Sequence, residues 1–304
     1  MHMDVNERVW DVHIHLFPER LFKAIWGWFE RVGWNIPYAG QSLGFYLRFL
    51  QEMGVEKGFL LPYCHKPGMA LELNRWVHSV SRENPWLVPF AGIHPEDKDM
   101  SKALQTSLGT WGFAGVKLQL AVIKYPADHP KLYPVYKEIH DHGKLVVIHA
   151  GTAPYAPGQE EFQALGLRRL LPVLDRFPGL KAIIPHFGLY ELDLAQDILD
   201  SSPNIYVDTS WALANPKLRL KEAQLARFMS RYEDRVLFGT DFPILEHSPL
   251  DMLAALRQLV PDPRVRHRIL WENARELWAS TQHENSAQTP LGGGSAKNRH
   301  CRQS

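Results

Sequence analysis

Cysteine is nearly absent from this chain: its 304 residues include 2, Cys64 and Cys301. Two thiols make neither a disulfide framework nor a Cys-rich zinc site, and a reducing cytoplasm is the expected setting. A charge imbalance is absent too. With 34 Lys and Arg against 33 Asp and Glu, the net charge is +1, so no global field calls for nucleic acid or an acidic membrane as partner. No apolar run approaches the roughly 20 residues that cross a bilayer. Met1 to Arg8 is polar and lacks the apolar stretch of an export signal. No G-x-G-x-x-G turn follows an early strand, so an open doubly wound sheet with a dinucleotide site is the weaker fold reading. No internal repeat is visible.

Histidine and tryptophan, by contrast, are abundant, with 15 and 10 residues. The segment that organises the rest is Asp11-Val12-His13-Ile14-His15, at the end of the first apolar run. In a strand, His13 and His15 share a face, and two neutral imidazoles there can reach one metal ion.

Short β-like runs then alternate with amphipathic stretches. Strands are expected at Val9–Val12, Lys57–Pro62, Trp86–Ile93, Phe113–Leu118, Lys144–His149, Leu180–Pro185, Asn204–Thr209 and Arg235–Gly239. The periodicity predicts helices over Leu21–Trp34, Ser42–Met53, Leu71–Arg82, Ser101–Leu108 and Leu132–His142. Others are expected at Gln163–Arg176, broken or kinked at Pro172, at Glu191–Leu199, at Lys217–Tyr232, and over the closing Leu250–Leu259 and Val265–Trp278. Eight strands alternating with helices argue for a parallel (β/α)8 TIM barrel in one domain, residues 1–280. Residues 281–304 are polar, carry Gly292-Gly293-Gly294-Ser295 and read as a disordered tail.

In such barrels the site lies at the C-terminal strand ends. His13, His15, Lys117, His149, His186 and Asp241 all fall there. The His and Asp residues are the ligand types of zinc, iron and manganese. Chemistry suggests His13, His15, His149 and Asp241 as ligands of a divalent metal. His186 is the candidate base, oxyanion stabiliser or additional ligand. Lys117 can bind a substrate carboxylate or make a structural ion pair. Trp211 can stack on a planar substrate or pack as core. Asp11 is expected to orient a histidine or cap its strand. His94 is read as a loop residue held by its own hydrogen bonds, and Asp208 as either pocket lining or a turn cap. His65 is a pocket candidate. His140 and His142 sit where they can bond the last carbonyls of a helix.

The pattern resembles the amidohydrolase superfamily. Asp-x-His-x-His at the start, a His after strands five and six and an Asp after strand eight carry the resemblance. Gly115-Val116-Lys117-Leu118, Val147-Ile148-His149-Ala150-Gly151, Ile184-Pro185-His186-Phe187-Gly188, Leu237-Phe238-Gly239-Thr240-Asp241-Phe242-Pro243 and Glu272-Asn273-Ala274 look like its amidohydrolase-related branch. That branch holds metal-dependent hydrolases and non-oxidative decarboxylases. The resemblance implies an enzyme with a zinc, manganese or iron centre and a small-molecule substrate. It implies one ion, or two if Lys117 is carboxylated, Asp241 as a base toward water, His186 in proton transfer, and a homodimer as the assembly. Hydrolysis of an ester, lactone or amide is the first expectation. Decarboxylation of an aromatic or unsaturated acid is the alternative, with Arg48, Trp26, Trp211 and Lys117 available for a carboxylate and a ring. A barrel retained only as a binding scaffold is a third reading, opposed by the full set of His and Asp positions.

Overall fold

The computed structural model describes residues 7–151, 166–214 and 222–283. Its eight strands are β1 (Val9–Ile14), β2 (Val55–Leu60), β3 (Leu87–Gly92), β4 (Gly115–Gln119), β5 (Leu145–His149), β6 (Lys181–Ile184), β7 (Ile205–Asp208) and β8 (Val236–Leu237). They pair in sequence order, each parallel to the next. The sheet curls until its ends meet. Val12 N–H donates to Phe238 O at 2.9 Å, Asp241 N–H to His13 O at 2.9 Å and His15 N–H to Phe242 O at 2.8 Å. The expected TIM barrel is therefore the observed fold.

Parallel strands wrapped by helices are buried on both faces, so their sequences run apolar rather than alternating. β1 is buried at every position and β5 at all but its last. The apolar shell outside the sheet includes Trp10, which packs edge-on against Trp278 of the last helix at 5.8 Å. Gly115 opens β4 because a Cβ there would sit 2.1 Å from Leu145 O; only glycine allows the two backbones to pass.

Most expected elements occur with ends moved by a few residues, and three differ in kind. Ser101–Leu108 is a short helix, Met100–Leu104, widening into a π-turn over Gln105–Thr110. Pro172 does not interrupt a helix. A 3-10 turn, Leu167–Leu170, leads into the helix Leu171–Arg176, and Pro172 lies in its first turn, where a missing N–H costs nothing. The final helix, Asn273–His283, runs past residue 280. Thr281 is fully buried and its hydroxyl donates to Trp278 O at 2.7 Å, which extends the helix. The expected tail from 284 onward, residues 163–165 and residues 217–221 of two expected helices lie outside the described residues. Among the described residues no helix is long and apolar enough to cross a membrane.

The N-terminal end of β1 is tied down by charge. Glu7 accepts from Arg257 at 2.8 and 3.0 Å and from Arg266 at 2.7 Å. Burial alone would raise the Glu7 pKa, but the two guanidiniums hold it below its ordinary 4.5. A carboxylate with a depressed folded pKa adds stability that is present above the unfolded pKa and lost as pH falls through the folded one. Glu7→Gln is expected to cost about 1–2 kcal/mol at pH 7. In urea unfolding the gap to wild type should shrink as pH falls from 5 toward 3; a gap unchanged over that range would contradict the assignment.

Candidate metal centre

The C-terminal mouth of the barrel gathers the histidines. His13 Nε2 and His15 Nε2 lie 3.2 Å apart. Asp241 Oδ1 is 3.0 Å from His15 Nε2 and 3.5 Å from His13 Nε2. These three residues form a His-His-Asp group whose ligand atoms all fall within 4.8 Å of one another, able to hold a metal ion. Lys117 Nζ approaches the same point, 3.1 Å from His13 Nε2. His186 stacks on His13 with ring centroids 5.2 Å apart, and His149 stands edge-on to His186 at 4.6 Å. His149 lies outside the convergent trio, so three of the four expected ligands meet directly.

What faces inward follows from what is bonded outward. His13 Nδ1 is 2.8 Å from Asp208 Oδ2, so its proton points to that carboxylate. His15 Nδ1 donates to Leu61 O at 2.6 Å, and His186 Nδ1 to Ser210 O at 2.7 Å. In each ring the N–H is committed outside and Nε2 presents its lone pair to the centre. This is how outer partners set the tautomer of a ligand histidine. Asp208 also accepts from His186 N and Ser210 N, each at 3.0 Å, and from the Ser210 hydroxyl.

Electrostatics agree with neutral imidazoles. Burial, then the charge of Lys117, holds His13 well below the usual histidine range; burial, then His186 and Lys117, does the same for His149. Burial pushes Lys117 down to about 8. Burial would raise Asp241, but His15 and the neighbouring imidazoles hold its carboxyl below the ordinary value. Both ring nitrogens of His149 are shielded from solvent and have no hydrogen-bond partner among the described residues. A buried imidazole left so is costly. Neutral imidazoles with inward lone pairs, a carboxylate and an unpartnered fourth imidazole suit a divalent cation of the zinc, manganese or iron type.

The backbone is bent to present these groups. Among the described residues, six non-glycine positions have positive φ, and five lie just after strands: His186 (57°), Phe187 (52°), Leu189 (58°), Trp211 (56°) and Asp241 (75°). Such conformations cost roughly 1–3 kcal/mol each and gather at functional sites. Asp11, buried and pushed by that burial to about 7, accepts from Thr240 N and His13 N and from Thr240 Oγ1. It fixes backbone rather than an imidazole ring. Gly239 passes beneath His13, where a Cβ would lie 2.9 Å from that of His13.

Sequence reasoning left Asp208 open, and the structure puts it behind two histidines. Ser210 carried no ligand signal and was missed. Tyr63 was missed as well: its ring meets His15 edge-on at 5.3 Å, and burial raises its phenol pKa with help from Asp241. Trp211 is buried and stands edge-on to His186 at 6.2 Å. His94 is the loop residue expected, accepting from Glu96 N at 3.2 Å. His142 bonds Glu138 O at 2.8 Å, the helix-end role expected. Arg48 and His65 are exposed, and Trp26 stacks on Phe22 at 5.1 Å within an aromatic patch.

With this geometry in place, comparison decides the family: the amidohydrolase sequence profile matches residues 10–279. The chain belongs to the amidohydrolase family. It is an enzyme of that family's TIM-barrel kind. No curated protein matches. Similar solved structures include an uncharacterised TIM-barrel protein from Bordetella bronchiseptica, with 21% identity, a TM-score of 0.69, and 90% of this chain and 99% of that one covered. A dihydroxybenzoic acid decarboxylase from Polaromonas sp. JS666, with bound manganese and the inhibitor 2-nitroresorcinol, has 16% identity and a TM-score of 0.66 over 90% of this chain and 97% of its own. A 4-oxalomesaconate hydratase from Rhodopseudomonas palustris has 16% identity and a TM-score of 0.63 over 92% and 98%.

Asp208→Asn tests the tautomer argument. An amide NH2 facing His13 Nδ1 would drive the ring proton to Nε2 and remove its lone pair from the centre. Metal affinity, by chelator competition, is expected to fall about 10–100-fold while the fold persists; unaltered affinity would refute it.

Proposed function

We propose that the protein is a metal-dependent lyase that removes a carboxyl group from a small planar acid, aromatic or unsaturated. The observation that carries this reading is Lys117, a buried ammonium 3.1 Å from His13 Nε2, beside three convergent ligand atoms. An ammonium next to a divalent cation calls for an anion between them. With Lys117 and a divalent ion present, positive charge outweighs the Asp208 and Asp241 carboxylates, and the centre favours an anionic substrate.

In this reading His13, His15 and Asp241 hold the ion, and His149 is the further donor. A bound divalent ion polarises carboxylate or carbonyl oxygens and makes a coordinated water acidic near neutral pH. Lys117 holds the substrate carboxylate. Trp211, edge-on to His186, offers an apolar wall to a flat ring. His186 keeps its Nδ1 proton on Ser210 O and uses Nε2 to take up a proton and return it to carbon. The electron pair of the breaking C–C bond accepts that proton as CO2 leaves. The decarboxylases among the similar solved structures support this order of readings, and the manganese of the Polaromonas enzyme makes manganese a first choice beside zinc and iron. The single convergent trio among the described residues favours one ion, a second requiring Lys117 to be carboxylated. A cytoplasmic homodimer belongs to the same reading.

Hydrolysis is the second reading, favoured by Asp241. Its side chain is 15% exposed, its pKa is depressed, and it stands beside the ligand atoms, where it can accept a proton from water.

Protein purified without added metal and loaded with Mn2+ should carry about one ion per chain and lose activity to a chelator. Incubation with a panel of aromatic and unsaturated acids should release CO2 from at least one. Acid release from esters and lactones, with no CO2 from any acid, would overturn the lyase reading in favour of hydrolysis. Asp241→Asn should lower turnover by at least about 1000-fold with little change in melting temperature; near-normal activity would remove Asp241 from the chemistry.

A further inference from the structure

We infer that Gln119 selects the substrate, accepting a hydrogen bond from a hydroxyl or amino group that the acid carries in addition to its carboxylate; the inference rests on the carboxylic-acid reading above. Gln119 ends β4, two residues beyond Lys117. Alternate strand residues share a face, and the contact of Lys117 Nζ with His13 fixes that face as the barrel interior. Two residues advance the chain roughly 6–7 Å, so Gln119 stands above Lys117, toward the mouth.

Register gives the same placement independently. Gln119 pairs with His149 across the parallel β4–β5 ladder, and paired residues in adjacent strands point to the same face. His149 faces inward, against His186. The Gln119 amide therefore borders the unpartnered imidazole beside the metal centre.

Gln119 Oε1 is shielded from solvent and has no hydrogen-bond partner among the described residues. The obvious structural duty is missing as well. Gln119 precedes the short helix Leu120–Ile123 at its N-cap position, yet its side chain makes no capping hydrogen bond. Asp11, Asp208 and Thr209, by contrast, are engaged with Thr240, His13 and Gly239. A shielded acceptor left unmet is costly, and a ligand offsets that cost only by bringing a donor. A carboxylate or an ether brings none; a hydroxyl or an amine does.

The test uses the full chain loaded with Mn2+ and calorimetric titration of benzoate, its 2-, 3- and 4-hydroxy isomers, and the matching methoxybenzoates. One hydroxy isomer is expected to bind about 10-fold more tightly than benzoate, and its methoxy counterpart should show no such gain. Gln119→Met, close to glutamine in length but without its amide, should erase the hydroxyl advantage and leave benzoate binding within about 3-fold, with the metal still bound. If that variant melts early, Gln119→Asn, which keeps an amide but shortens its reach, should erase the advantage instead. A hydroxyl advantage that survives in the folded variant overturns the inference. So does benzoate binding with no gain from any hydroxyl, which leaves the carboxylic-acid reading standing. Failure of every acid to bind the metal-loaded wild type overturns both.

Discussion

One carboxylate, Asp208, orders the centre from outside it. Its Oδ2 accepts a hydrogen bond from His13 Nδ1–H, and its Oδ1 accepts from the backbone N–H of His186 and from both donors of Ser210. Two strands' worth of imidazole are thereby oriented by a residue that never reaches the ligand position. Ser210 carries the arrangement on, because its backbone carbonyl accepts the Nδ1 proton of His186. In a low-dielectric interior such a network is strong when complete and costly when broken. The inward lone pairs are the result of that completeness rather than of any feature of the histidines themselves.

The barrel supplies the rigidity this requires. Asp11 does for backbone what Asp208 does for rings. By receiving Thr240 and the N–H of His13, it pins the end of β8 to the end of β1. Gly239 leaves the space beneath His13, and the left-handed backbone at Asp241 turns its carboxylate toward His15. Each of these three positions answers a steric or hydrogen-bonding demand set by its neighbour across the seam.

Much of this was readable from the sequence, for physical reasons. Continuous apolar runs separated by helical periods are what doubly buried parallel strands require, so the eight-fold alternation was visible. His13 and His15 were found because strand geometry places alternate residues on one face. His149, His186 and Asp241 were found because each closes an apolar run. Asp208 was undecided because a strand-end carboxylate caps turns as readily as it orients a ring, and the difference is a contact 195 residues away in sequence. Ser210 was invisible, since its service runs largely through its backbone carbonyl. Gln119 gave no signal either, for an amide declares itself only by what it fails to bond. The continuation of the last helix past 280 was hidden by the polarity of its residues, one of which, Thr281, is buried.

The closing seam has a consequence for how the molecule responds to its own cargo. Two of the three backbone bonds that close the sheet, Asp241 N–H to His13 O and His15 N–H to Phe242 O, involve the very residues, His13, His15 and Asp241, whose side chains converge on the centre. Whatever occupies that centre therefore grips the first and last strands at once, acting as a clasp between segments more than 220 residues apart in sequence. Ligand at 100 times its dissociation constant adds about 2.7 kcal/mol to a folded state that alone can bind it. Here that increment would fall on the join that makes the sheet a ring, and occupancy would reinforce a circle the backbone already closes.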